Sequence, residues 1–189
     1  MPRDDAELLA RASRGDHSAF DTLYKRYEAD LYRFVFYLAH DPGTAEELFQ
    51  DTWFRVVRSM GKRPIEDFKK WMFTIATNLY RDELRRRKVR RLFLGRGPVE
   101  EYHESPDLDE GHAALPETAP EAENYAIREA VDKALKKLAP RQRTVFVLTQ
   151  IEGFKLREVA EMLGKSEGTV KSTLHRAVSI LRDALGEFR

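Results

Sequence analysis

The stretch that most narrows the fold is the last third of the chain, LREVAEMLGKSEGTVKSTLHRAVSILRDAL, Leu156 to Leu185. Leu156, Val159, Ala160 and Leu163 recur at helical spacing and give a first helix one apolar face. Gly164 stands where a left-handed stop is needed, a conformation a residue without a Cβ adopts cheaply. Ser166 is placed to cap the next helix by accepting from a free backbone N–H. Val170, Leu174, Ala177, Leu181 and Leu185 then form the stripe of a second helix. Its outer face carries Glu167, Thr169, Lys171, Ser172, His175 and Arg176, side chains able to reach base edges and phosphates in a major groove. An ordinary helical hairpin gives part of this pattern. The small Ala160, the glycine turn and the polar, basic outer face together favour a DNA-binding helix-turn-helix.

Upstream, apolar residues keep helical steps. A short helix over Asp4–Arg14 is expected to stop at Gly15, with Asp16 capping the next. That next helix is long and aromatic-rich: Phe20, Leu23, Tyr24, Tyr27, Leu31, Phe34, Val35 and Leu38. Asp41-Pro42-Gly43 reads as a turn, with Thr44 capping a third helix over Ala45–Met60. That helix has a core stripe (Ala45, Leu48, Phe49, Thr52, Trp53, Val56, Val57, Met60) and a second stripe of Glu47, Gln50, Asp51 and Phe54. The second stripe is either a solvated surface or a protein-docking face anchored by Phe54.

After a loop containing Lys62, Arg63 and Pro64, a fourth helix is expected over Asp67–Leu92. Phe68, Trp71, Met72, Ile75, Ala76 and Leu79 make its stripe. Lys69, Lys70, Phe73, Thr77, Asn78, Arg81, Arg85 and Arg86 fall largely off it. From Arg81 to Arg91 seven basic residues face only Asp82 and Glu83. That exceeds what a helix dipole calls for, and indicates a phosphate-binding surface.

Periodicity fails after Leu94. From Gly97 to Glu123 there are nine acidic residues and no lysine or arginine, among prolines and glycines. Such a segment is too polar to build its own core and reads as a linker. The expected organisation is a helical domain at 1–94, an acidic linker at 95–123 and a helical domain at 124–189. In the latter, a helix near Asn124–Leu138 precedes one with Pro140 in its first turn, running through Thr144, Val145, Leu148 and Ile151 to Gly153. The fold class is all-α: two helical domains, an amino-terminal bundle and a carboxy-terminal helix-turn-helix domain, joined by the linker.

Composition limits the function. Charged residues make up 34% of the chain at a net charge of +1, so a nucleic-acid partner requires segregation of charge. The absence of cysteine removes disulfides, zinc fingers and thiol nucleophiles. The charged start is unlike a signal peptide, and no apolar run approaches the roughly 18 residues of a membrane span. A soluble, cytoplasmic protein without membrane insertion is expected. The five histidines, His17, His40, His103, His112 and His175, lack metal-ligand spacing. There is no glycine-rich phosphate loop. Neither a metal, a cofactor nor a catalytic residue is assigned, and the chain is read as a non-enzyme.

Four blocks in this order resemble the bacterial sigma factors of RNA polymerase, in the small extracytoplasmic-function subgroup: AEELFQDTWFRVV (Ala45–Val57), FKKWMFTIATNLYRDELRRR (Phe68–Arg87), LAPRQRTVFVLTQIEGF (Leu138–Phe154) and EVAEMLGKSEGTVKSTLHRA (Glu158–Ala177). The resemblance implies that the face of Glu47, Gln50, Asp51 and Phe54 docks on a coiled-coil of the polymerase's largest subunit. It implies minus-ten DNA contacts from Lys62, Arg63, Asn78, Arg81, Arg85 and Arg86. Asn78 stays open between a base contact and a structural amide. Trp53 and Trp71 are read as packing.

The resemblance further implies that the last helix reads the minus-thirty-five element through Glu167, Thr169, Lys171, Ser172, His175 and Arg176. Glu167 accepts from cytosine or merely favours the helix N-terminus. Arg141, Gln142 and Arg143 are expected on phosphates, with Lys155 and Arg157 added. Partners implied are core polymerase, including its flap, promoter DNA and an anti-sigma factor. No further domain is expected after the helix-turn-helix. Two rivals remain: a regulator binding operator DNA without polymerase, and a DNA-processing enzyme using Tyr32 beside Arg33 or Tyr80 beside Arg81.

Overall fold

The computed structural model describes residues 2–62, 64–93 and 123–186, and side chains over 4–62, 64–93 and 130–184. Arg63, the expected linker up to residue 122, His103 and His112 lie outside the described residues. Among the described residues every regular element is helical, so the chain is all-α. Two compact units divide at Asp82/Glu83.

The first unit is built on α1 (Pro2–Ala12), α2 (His17–Ala39), α3 (Pro42–Ser59) and the front of α4 (Phe68–Phe93). Asp16 caps α2 as expected, accepting from the Ala19 N–H at 3.1 Å. The α3 start differs from expectation. Asp41, not Thr44, is the N-cap; its carboxylate accepts from Thr44 N at 2.8 Å and Pro42 occupies the first turn. Proline there costs nothing, because that N–H has no helical partner in any case.

Leu23, Leu31, Phe34, Val35 and Leu38 of α2 are buried with Ala45, Leu48, Trp53 and Val56 of α3 and with Met72, Phe73, Ala76 and Leu79 of α4. The Phe34 and Phe73 rings meet at 4.8 Å and join α4 to α2. Burial of one such ring is worth about 1.5–3 kcal/mol. Phe73 and Thr77, expected off the stripe, are both fully buried. The buried set Met72, Phe73, Ala76, Thr77, Leu79 and Tyr80 covers a broad face rather than a narrow stripe. Conversely Trp71 and Ile75, expected in the core, are only half-buried. The last buried side chain of α4 is Tyr80, which is why the compact unit ends near Asp82, ahead of the change in composition after Leu94.

The second unit contains α5 (Glu123–Lys136), α6 (Pro140–Phe146), α7 (Leu156–Leu163) and α8 (Glu167–Gly186). Leu135, Leu138, Val145, Leu148, Val159, Met162, Val170, Ala177 and Leu181 form its core. The single helix expected from Pro140 to Gly153 is divided. After Phe146 the backbone widens into a π turn over Val147–Ile151, in which Glu152 N donates to Val147 O at 2.9 Å. Thr149 Oγ1 bonds back to Val145 O at 2.8 Å, a competing acceptor contact of the kind that loosens a helical turn.

Asp16 titrates in a way that stability can report. Bonds from Ser18 Oγ, from Arg11 and from the Ala19 N–H hold its carboxyl at about 2, against an ordinary 3.8. A depressed carboxylate stabilises the fold above its unfolded value and ceases to do so as pH falls through the folded value. Asp16→Ala should therefore lower the urea midpoint at pH 7. Measured against pH, its difference from the parent should shrink between pH 4 and pH 2.

Candidate nucleic-acid interfaces

The turn between α7 and α8 is set by backbone chemistry. Gly164 sits at φ 61°, ψ 43°, and Lys165 N returns to Ala160 O at 2.9 Å, closing α7. Ser166 Oγ then accepts from Thr169 N at 3.2 Å, opening α8. Val159, Ala160, Val170 and Ala177 are buried between the helices. With that face hidden, Glu167, Lys171, Ser172, His175 and Arg176 are exposed along α8, and Thr169 is half-buried.

These side chains are not equally available. The Thr169 hydroxyl lies 2.8 Å from Ser166 Oγ, and Ser172 Oγ donates to Thr169 O at 3.0 Å. Both hydroxyl groups therefore have local partners, Thr169 at the residue before α8 and Ser172 within it. Glu167, Lys171, His175 and Arg176 have no hydrogen-bond or ion-pair partner among the described residues, and make the accessible polar face.

At α6, Arg141 is exposed and without a side-chain partner among the described residues. Gln142 and Arg143 correct the sequence expectation. Gln142 Oε1 turns back to accept from Ala139 N at 3.1 Å, satisfying an orphan donor at the helix start. Arg143 is 9% exposed, and its guanidinium donates to Leu135 O at 3.1 Å and Leu138 O at 3.0 Å. It holds the end of α5 against the start of α6 and is not a surface cation. Lys155 is exposed at the α7 cap, whereas Arg157 pairs with Glu161 at 3.3 Å.

The exposed side of α4 carries the expected cations, Arg81 before the division between the units and Arg85 and Arg86 after it. Arg81 is half-buried, and Arg85 and Arg86 are exposed. Glu83 offsets part of this charge, taking Arg87 at 2.9 Å and Arg86 at 3.2 Å. Asn78 is exposed and has no partner among the described residues. Tyr80 is buried, and Tyr32 packs edge-on against Phe49 at 5.8 Å, so both tyrosines are packing residues.

A feature the sequence did not suggest lies beside the loop before α4. Arg55, Ser59, Lys62, Trp71 and Ile75 line a cleft of about 360 Å³. Arg55 and Ser59 lie four apart on α3, and Trp71 and Ile75 four apart on α4, so each pair shares a helix face. Only the return of the chain between the helices brings the pairs together. Two cations beside an indole suit a phosphate and an unstacked base.

The α3 stripe is exposed throughout. Glu47, Gln50, Asp51 and Phe54 all face outward, and Phe54 is 63% exposed with Val57 at 50%. An exposed phenylalanine beside carboxylates, backed by the rigid ring cluster of Tyr24, Phe49 and Trp53, has the form of an interface anchor.

Residues 23–90 match the family model "Sigma-70 region 2", and residues 128–181 match "Sigma-70, region 4". The chain is 33% identical over 185 residues to the ECF RNA polymerase sigma factor SigM of Mycobacterium tuberculosis, covering 97% of this chain and 86% of that protein. It is 32% identical over 177 residues to the ECF RNA polymerase sigma factor BldN of Streptomyces coelicolor, covering 93% of this chain but only 63% of BldN. Among solved structures it is similar to CnrH, determined in complex with the cytosolic domain of CnrY, with a TM-score of 0.66, 26% identity and coverage of 97% and 98%.

The two neighbouring arginines of α6 give a direct check of these placements. Arg143→Ala strands two buried carbonyls and should lower stability by about 1–3 kcal/mol. Arg141→Ala should stay within about 0.5 kcal/mol of the parent. Chemical denaturation of both variants separates them; equal stabilities would show Arg143 to be a surface residue after all.

Proposed function

The chain belongs to the extracytoplasmic-function sigma factors of RNA polymerase, and from that premise we propose how its surfaces divide the work. As a sigma factor it directs promoter-specific initiation of transcription. The finer assignment is ours. Residues 1–94 dock on core polymerase and engage the minus-ten element, 95–123 form the acidic linker, and 124–189 read the minus-thirty-five element.

The single observation that carries this reading is the presence of two exposed surfaces of opposite character, one on α3 and one on α4 with the loop before it. Glu47, Gln50, Asp51 and the 63% exposed Phe54 form an acidic–aromatic face on α3. Phosphate repels such a face, and a protein partner suits it. Lys62, Asn78, Arg81, Arg85 and Arg86 attract DNA, and the cleft beside Trp71 takes a base unstacked at a cost of a few kcal/mol during promoter melting. Arg63 belongs to the same set by sequence alone. In the second unit Lys171, His175 and Arg176 reach base edges and phosphates, Glu167 accepts from a cytosine amino group, Arg141 takes a phosphate, and Thr169 and Ser172 support the helix start.

A net charge of +1 gives little long-range attraction to DNA, so polymerase must hold both units on the promoter. The protein acts by binding and orienting, not by catalysis. No described helix is long and apolar enough to cross a membrane, in keeping with work in the cytoplasm. An anti-sigma factor is the expected regulator; CnrH was solved with a protein partner. A regulator acting without polymerase is disfavoured, since it leaves the α3 face unused.

Run-off transcription with core polymerase on a pool of promoter fragments tests the reading. Phe54→Ala should weaken core binding by about 1–3 kcal/mol, roughly 5- to 150-fold, and leave thermal stability unchanged. Lys171→Ala and Arg176→Ala should keep core binding and lower transcription from the selected promoters roughly 5- to 100-fold. Tight, selective duplex binding by the chain alone, with no stimulation of core, would reject the proposal.

A further inference from the structure

The loop between α3 and α4 places Lys62 at the cleft; Ser13, the residue after α1, lies beside its front end, and Asp5 of α1 is linked to its rear end through Tyr27 of α2. At the front end, Gly61 has φ +76°, and a Cβ built on it would stand 3.4 Å from Ser13 Cβ and 3.9 Å from Ser13 O. Ser13 is itself fixed to α1: its N–H donates to Leu9 O at 2.9 Å and its Oγ to Ala10 O at 2.9 Å. At the rear end, Asp67 opens α4 by accepting from Lys70 N at 2.8 Å, and the Phe68 ring lies 5.4 Å from Tyr27.

Tyr27 leads back to α1. Its hydroxyl donates to Asp5, a carboxylate only 7% exposed, and Arg26 bonds Asp5 and also Asp4, the latter at 2.7 Å. Burial, the bond to Asp5 and the charges of Asp5 and Asp67 all push the Tyr27 phenol upward, so it stays a neutral donor. Leu8 and Leu9 are buried, so α1 is held by packing as well as by charge. The match to the sigma region 2 model begins at residue 23, so α1 lies outside it.

We propose that α1 is a positioning element for the promoter-reading loop: Ser13 seats its front end, the Asp5–Tyr27 bond steadies its rear end, and together they hold Lys62 at the cleft. This rests on the reading that the loop contacts promoter DNA. Seating the two ends before DNA arrives keeps the entropy of fixing them from being charged to binding. Loss of either seat leaves the contacting side chain in place and its geometry loose.

The test uses the full chain with core polymerase and a promoter taken from the selected pool. A second template carries one substituted minus-ten base. Ser13→Leu crowds the Gly61 contact from an exposed position, so the core is untouched; Asp5→Ala releases the other seat. Lys62→Ala serves as the loop control, and melting temperature monitors folding. Both α1 variants should shrink the ratio of output between the two templates by roughly fivefold, and Lys62→Ala should reduce output from the matched template. A merely structural α1 lowers both templates equally and leaves the ratio intact, which would overturn the inference. An intact ratio in both α1 variants while Lys62→Ala loses activity would overturn it too, with the DNA-contacting loop retained. Unchanged output from Lys62→Ala would remove the underlying reading, and the inference with it.

Discussion

The packing of the front of α4 against α2 is the constraint on which the first unit depends. Phe34 and Phe73 meet in the core, and every buried side chain of α4 lies at or before Tyr80. One continuous helix therefore serves two environments. Its first half holds all of its buried side chains. Its second half, from Arg85 onward, consists mostly of exposed cations.

In the second unit the equivalent constraint is the short turn at Gly164. It brings α7 onto α8 so that Val159, Ala160, Val170 and Ala177 are buried together, and the remaining face of α8 is left to solvent. The polar residues of that face then separate by function. Ser166 and Thr169 complete the helix start, Ser172 Oγ donates to Thr169 O, and Glu167, Lys171, His175 and Arg176, without a partner among the described residues, are left as the exposed polar face.

Helix count, the caps at Asp16 and Ser166 and the stop at Gly164 were legible because each is a local event, decided within four residues. The exposed α3 stripe was legible because its spacing is helical. Placing Phe73 and Thr77 outside the core was wrong for a physical reason. A stripe of about 100° describes a helix on a flat surface, and α4 buries a wider arc. Arg143 misled for another: its charge suggests solvent, but two carbonyls left free at the end of α5 make a buried site for it. The π turn over Val147–Ile151 follows from no pattern in the sequence that we can name.

By itself the sequence determined the all-α class, the order of the helices and the acidic–aromatic and basic character of the faces, since periodicity and capping act over one or two turns. Tertiary structure alone decided which cations are available, that Trp71 and Ile75 join Arg55, Ser59 and Lys62 around one cleft, and that Ser13, just past α1, lies beside Gly61. Those residues are distant in the chain, and only the burial of apolar faces against one another brings them within reach.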